Sequence, residues 1–273
     1  FPPAVATRPV LTRSRLDVHG MSRTIDGALR SLVADALSIY AIDEAALAAA
    51  APDVIVTQDL CEVCAVSLGD VRAAVARLAH RARVEIVSLR PTRLADVVSD
   101  VERIGRAIGR PEAGRALAAG MRERLEAIGE RARRVGSRPR VVTVEWIDPI
   151  MLGGTWMPEL IDLAGGTTVG ATAGAPAPTV TPAELARLRP EVVVVKPCGF
   201  PLERTLAEPA VIERTIIGGL AAPARVYVTD GNAFFNRPGP RLVESLEILA
   251  ACVHPDACAD LALKHAPVIN RLA

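Results

Sequence analysis

The sequence predicts an α/β fold: two doubly wound parallel-sheet lobes joined by a long helical connector, with a ligand cleft between the lobes. Three observations predict it. Residues 46–61 read ALAAAAPDVIVTQDLC and residues 183–198 read AELARLRPEVVVVKPC. Each copy is a short Ala/Leu helix pattern, a proline, an acid, a β-branched run and a cysteine, and a helix-strand unit used twice suggests two similarly wound lobes. The runs Val54-Ile55-Val56 and Val192 to Val195 are apolar throughout, which suits strands buried on both faces of a parallel sheet. A long helical stretch, about Leu94 to Val135, separates the two copies. Ligands of open parallel sheets sit beyond the carboxyl ends of the strands, where both Cys61 and Cys198 fall.

In chain order, residues 1–20 read as extended chain or loop. Ser22 or Thr24 caps a helix over about 24–36, with Ile25, Leu29, Leu32 and Val33 on one face. A second helix, about 43–51, ends at Pro52 and leads into the first strand. Helix 68–80 carries Val71, Val75 and Leu78, and strand 84–89 reads VEIVSL. From Leu94, Val97, Val98, Val101, Ile104 and Ile108 recur at helical spacing. Gly109-Arg110-Pro111 then interrupts before Leu117, Met121, Leu125 and Ile128 resume the pattern. Two ordinary surface helices of a single domain are the alternative to a rigid connector.

Strand 140–145 (RVVTVE) opens the second half, and helix 157–164 ends at Gly165-Gly166. Residues 170–179 form a Gly/Ala/Pro/Thr loop. After the repeated unit come a helix near 208–216, strand 225–229 (RVYVT) and a final helix over about 240–253. The implied domains are an N-terminal lobe over 1–92, a connecting backbone helix over 93–137 and a C-terminal lobe over 138–273. The second half holds more strands, so the first lobe is expected to be incomplete at its N-terminal end.

Composition narrows the function classes. Half of the 273 residues are apolar but only 3% are aromatic, so Ala, Val, Leu and Ile must fill the core. A net charge of +1 carries no nucleic-acid footprint. No apolar run approaches the ~20 residues of a membrane span, so an integral membrane protein is not expected. Five cysteines, an odd number, argue against a simple disulfide framework. Free thiols and the lack of a visible signal segment favour the cytoplasm, whereas an importer receptor would lie outside it.

Chemistry concentrates at the strand ends. Cys61-Glu62-Val63-Cys64 follows one strand and Cys198 ends the matching one. Three readings stand: the three thiols bind zinc or iron, they contact a ligand, or Cys61 and Cys64 form a redox pair. The bland reading makes them small buried hydrophobes. Cys252 and Cys258 read as structural, and His19, His80, His254 and His265 as surface residues. Asp17, Asp43, Asp59 and Glu145 show no acid–base pairing, and no nucleophile-elbow, phosphate-loop, dinucleotide or zincin motif is present. An enzyme is not expected. Five of the eight aromatics, Trp146, Trp156, Phe200, Phe234 and Phe235, fall in loops after strands of the second half. That placement suits a pocket for a large, flat, apolar ligand, with Arg13 and Arg237 at its rim; the alternative is that the same rings pack the loops.

The segments TRSRLD (12–17), SIYAIDEAAL (38–47), PDVIVTQDLCEVCAVS (52–67), VEWIDPIMLGGTWMPELIDLAGG (144–166), KPCGFPLERT (196–205) and DGNAFFNRPGPRLVESLEILA (230–250) together resemble the cobalamin-binding proteins related to the substrate-binding subunits of ABC importers of cobalamin and iron siderophores. The resemblance covers nearly the whole chain. It implies two lobes on a helical backbone, a corrinoid held between them and delivery to an ABC permease. It implies that Asp230 to Arg237 contact the corrin ring and its amides, with Trp146 and Trp156 as aromatic walls. Glu159 becomes the acid offered to permease arginines. Members of that family open with a strand, a helix and a His-Glu-Cys-Asp strand end, which the resemblance places before Phe1. A cytosolic metal or corrinoid binder using Cys61, Cys64 and Cys198, and a thiol-dependent cofactor-modifying enzyme, are the alternatives.

Overall fold

Four consecutive valines can be buried on every side only in the middle of a sheet covered on both faces, and Val192 to Val195 are 0% exposed. The computed structural model describes residues 3–15, 19–34, 40–58, 68–77 and 84–272. Its elements are β1 (Thr12–Ser14), α1 (Ser22–Ala34), β2 (Tyr40–Ile42), α2 (Glu44–Ala50), β3 (Val54–Gln58), α3 (Leu68–Arg77) and β4 (Glu85–Leu89). Then follow α4 (Leu94–Ala107), α5 (Pro111–Arg133), β5 (Arg140–Trp146), β6 (Ile150–Leu152), α6 (Met157–Leu163), β7 (Thr167–Thr168), β8 (Thr179–Val180) and α7 (Pro182–Arg187). The chain continues with β9 (Val192–Val195), α8 (Leu202–Leu206), α9 (Pro209–Thr215), β10 (Arg225–Thr229), α10 (Leu242–Val253), α11 (Ala259–Lys264) and β11 (Ile269–Arg271). Contacts divide the chain into two units, residues 1–90 with 103–111 and residues 91–102 with 112–273. Helix α5 therefore falls almost wholly in the second unit.

In the first unit, β3 pairs with β4 in parallel, Val54 opposite Glu85 and Gln58 opposite Leu89. Antiparallel β1 and β2 form a separate pair. Asp43 caps α2 by accepting from the Ala46 N–H at 2.9 Å, which satisfies one of the orphan donors at the helix start. The expectation of burial on both faces fails for β3. Val56 is 42% exposed, and β4 is its only partner among the described residues. A strand with one neighbour is an edge, whatever its apolar content.

The second unit holds a seven-stranded sheet in the order β11-β10-β9-β5-β6-β8, with β7 also paired to β5. Strands β5, β9 and β10 run parallel, in register Val141–Val192 and Val192–Arg225. On one face Val142, Val144, Val193, Val195, Val226 and Val228 pack with Leu185 of α7 and with Val211 and Ile212 of α9. On the other, α10 packs against β9 and α6. Its residues Leu242 to Val253 are buried apart from Glu244, as suits a helix apolar on all sides. Each buried valine contributes about 2 kcal/mol by removal from water. Among the described residues, no helix is long and apolar enough to cross a membrane.

The interruption expected at residues 109–111 separates α4 from α5. Gly109 takes φ +69° and Pro111 occupies the first position of α5, where its missing N–H is of no consequence. The repeat extends further than its sequence shows: Ala51 and Arg189, each just before the proline of its copy, both adopt left-handed φ, 46° and 47°. The chain does not end on the helix at 242–253, because α11 and β11 follow, β11 pairing antiparallel with β10.

Glu247 of α10, 6% exposed, ties these elements together. It accepts from Arg124 of α5 at 2.9 Å, Lys264 at 2.6 Å and His265 at 2.8 Å. Burial alone would raise its pKa, but these donors override it and bring it down to about 2. A carboxylate whose pKa is depressed by folding stabilises above its unfolded value of about 4.3 and loses that contribution as pH falls towards the folded value. Glu247→Gln is therefore expected to cost up to about 3 kcal/mol at pH 6, at 1.4 kcal/mol per pKa unit. That gap should close as pH falls from about 4.5 to 2; urea unfolding across the range would show a constant gap if the carboxylate charge did not matter.

Candidate functional site

Because β5, β9 and β10 are parallel, their carboxyl ends share one edge of the sheet, where the loops 196–201 and 230–241 gather. The turn 153–156 follows antiparallel β6, leaves the sheet beside Thr143 of β5, and is tied to that edge by Trp156. The residue after β9 is Lys196, fully buried at 0% exposure. Its Nζ donates to Asn236 Oδ1 at 2.8 Å and to Glu145 Oε2 at 3.4 Å. Burial pushes the Lys196 pKa down, and the nearby Glu145 charge opposes that shift. Asn236 donates in turn to the carbonyls of Lys196 and Gly231, at 2.9 and 2.8 Å. One amide thus binds the loop after β10 to the loop after β9. The two approach so closely that a Cβ on Gly231 would lie 2.1 Å from the Pro197 carbonyl oxygen.

The loop after β10 is pinned throughout. Asp230 accepts from the N–H groups of Asn232 and Ala233 at 2.9 and 2.7 Å, an Asx turn. Asn232 N–H donates to the Phe200 carbonyl at 3.0 Å, and Arg237 holds Asn232 through two 2.9 Å bonds. Trp156 Nε1 donates to the Phe235 carbonyl at 2.9 Å, and Phe235 N–H donates to Ser245 Oγ at 2.9 Å.

The eleven ligand residues read from the sequence divide by exposure. Cys198 and Arg237 are exposed, and Trp146 and Asp230 are part-buried. Trp156, Phe200, Phe234 and Phe235 are interior, at 4%, 4%, 8% and 1% exposure. Phe200 is held edge-on to Trp146, centroids 5.2 Å apart, with the Arg204 guanidinium 4.4 Å from its ring centre. Phe234 lies between the Arg241 guanidinium, 4.3 Å away, and His265. The reading that the rings pack the loops therefore describes these four. Arg13 lies in the first unit, exposed, 3.6 Å from Asp43. Cys61 and Cys64 lie outside the described residues, as do Asp17, Asp59 and His80. Among the described residues no three His, Cys, Asp or Glu side chains gather to hold a metal.

Glu159, expected to face a permease, is engaged within its own unit. Its Oε2 accepts from the Leu94 N–H at 2.8 Å and its Oε1 from Arg93 Nη2 at 3.0 Å, so it serves the N-terminus of α4. The surface reading of the histidines fails for two of them. His254 and His265 are 6% and 7% exposed; His254 meets the Gly165 carbonyl, and burial pushes its pKa down. Cys252 is buried, its thiol pushed up to about 12 by desolvation, in keeping with a structural role.

Sequence reasoning missed Lys196, Asn236 and Ser245. A signal existed for the first: Lys196 is one of only two lysines in the chain and directly follows four valines, so its stem had to enter the interior.

Comparison with known proteins bears on this arrangement. Residues 34–220 match the profile of a family described as periplasmic binding protein. A periplasmic heme-binding protein from Pseudomonas aeruginosa is similar at 20% identity, covering 79% of this chain and 77% of that one, with TM-score 0.62. An ABC transporter substrate-binding protein from Listeria monocytogenes shows 15% identity over 79% and 81% of the two chains, TM-score 0.64. The periplasmic vitamin B12 binding protein of Vibrio cholerae shows 19% identity over 81% and 79%, TM-score 0.57. No curated protein matches the chain.

Proposed function

The chain belongs to the periplasmic binding protein family, and from that membership we propose that it is a substrate-binding receptor, not an enzyme, that hands a corrinoid to an ABC importer. The observation that carries this reading is the loop 230–237 at the carboxyl edge of a parallel sheet. Its backbone is fixed by its own side chains while Asp230 and Arg237 remain within reach of solvent. A preformed polar loop, bonded to Phe200 whose ring stacks edge-on against the part-buried Trp146, suits a large flat ligand rimmed by amides. It also avoids the ordering cost of a mobile loop at the moment of binding. The similar solved proteins described as binding vitamin B12 and heme support a tetrapyrrole as the cargo class. The amide-rich rim of a corrinoid is the better match to the donors and acceptors of Asn232, Asp230 and Arg237.

The direct contacts fall to Trp146, Cys198, Asp230 and Arg237, while Trp156, Phe200, Phe234 and Phe235 hold the loops behind them. Asp230→Asn keeps the acceptor of the Asx turn and removes only the charge. It and Arg237→Gln are each expected to weaken cyanocobalamin binding by about 1–2 kcal/mol, roughly 5- to 30-fold, with little change in melting temperature. Calorimetry showing unchanged affinity in both variants would remove this loop from the site.

A further inference from the structure

Four non-glycine residues have left-handed backbone among the described residues: Ala51, Thr155, Arg189 and Phe235. Ala51 and Arg189 belong to the repeated helix-strand unit. Thr155 and Phe235 do not; Phe235 lies in the loop beyond the carboxyl end of β10, and Thr155 in the separate turn that follows antiparallel β6. A residue as bulky as phenylalanine is a clear outlier at φ +66°, and such a conformation persists only where its surroundings over-determine it. Here they do. The Phe235 N–H donates to Ser245 Oγ, its carbonyl accepts from Trp156 Nε1, and its ring is 1% exposed. Ser245, 0% exposed, donates onward to the Arg241 carbonyl at 2.9 Å. Thr155 is fixed from its own side, its N–H to the Ala175 carbonyl at 2.7 Å and its carbonyl from the Gly174 N–H at 2.9 Å. The bond from Trp156, next to one strained residue, to the carbonyl of the other joins the two loops.

We propose that Ser245, Phe235 and Trp156 form a positioning latch that locks the turn 153–156 and the loop 230–237 into one body, so that the ligand-contacting residues are presented in a single arrangement. Ser245 and Trp156 act through Phe235 and touch no ligand themselves. The latch deepens the receptor reading and rests on it for its purpose, though the coupling of the loops can be measured without any ligand. Simple packing would confine the effect of a substitution to the loop that carries it. A latch transmits it, because loss of either hydrogen bond frees the strained Phe235 backbone that both loops depend on.

Amide hydrogen exchange on the ligand-free full chain tests this with Ser245→Ala and Trp156→Phe, which break the latch from opposite ends. In each variant, peptides covering 153–156 and those covering 230–237 should lose protection together, by roughly tenfold or more, while β9 keeps its own. Loosening confined to 230–237 in Ser245→Ala, or to 153–156 in Trp156→Phe, overturns the coupling, as does no loosening at all; either variant suffices where the other fails to fold. Cyanocobalamin affinity should fall at least fivefold in the loosened variants, and an unchanged affinity there would overturn the positioning role. Failure of the wild-type chain to bind cyanocobalamin would count against the corrinoid reading alone, with the exchange pattern still deciding the latch.

Discussion

Asn236→Leu is expected to destabilise the chain by about 3 kcal/mol, the upper end of what it costs to leave a buried polar group short of a hydrogen-bond partner, because the group left short is charged. The substitution takes away the 2.8 Å acceptor of the Lys196 ammonium and the donor to two carbonyls, those of Lys196 and Gly231. Glu145, at 3.4 Å, is too distant to replace that acceptor fully. Such a loss is a large part of the 5–15 kcal/mol that holds an ordinary domain folded. The cause can be separated from mere loss of packing. In Lys196→Met/Asn236→Leu the stranded charge is gone, and Glu145, with 26% of its side chain exposed, is left to water. The double variant should therefore be more stable than Asn236→Leu alone. Urea midpoints in the reverse order would mean that Lys196 is not an ammonium held by Asn236.

Trp156→Ala should cost about 3–5 kcal/mol, the usual toll of emptying a buried aromatic site. It also leaves the Phe235 carbonyl without its donor. The neighbourhood cannot close up easily: Gly153 and Gly154 approach so near to Thr143 and Ala177 that a Cβ on either glycine would sit 2.2 and 2.4 Å from them. Trp156→Phe keeps most of the volume and loses the indole N–H, so about 1–2 kcal/mol is expected. A calorimetric melt in which the alanine variant matches wild type would contradict the interior placement of this ring and restore it to the ligand wall.

What could be read from the sequence follows from where periodicity exists. The valine run of β9 and the break at Gly109-Arg110-Pro111 are signals carried by the residues themselves, and both elements form where expected. Strand β3 carries nearly the same signal but has one partner among the described residues and a half-exposed Val56, because burial depends on how many neighbours a strand has, which no local pattern encodes. The aromatics mark the limit more sharply. Loops have no period, so nothing in DGNAFFNRPGP says whether the Phe234 and Phe235 rings turn to the interior, as they do, or towards a ligand. The left-handed backbone of Phe235 is set by Ser245 and Trp156, one ten positions further along the chain and the other in a separate loop. Short strands such as β7 and β11 leave no pattern to detect. The family resemblance supplied the loop; the structure supplied which of its side chains face solvent.

The central claim is that the chain binds a corrinoid, and titration of the metal-free wild-type protein with cyanocobalamin, hydroxocobalamin and hemin, followed by absorbance and calorimetry, tests it most directly. The account predicts saturable one-to-one binding of a cobalamin, tighter than that of hemin. Binding of hemin with no measurable affinity for either cobalamin, or binding of none of the three, would contradict it.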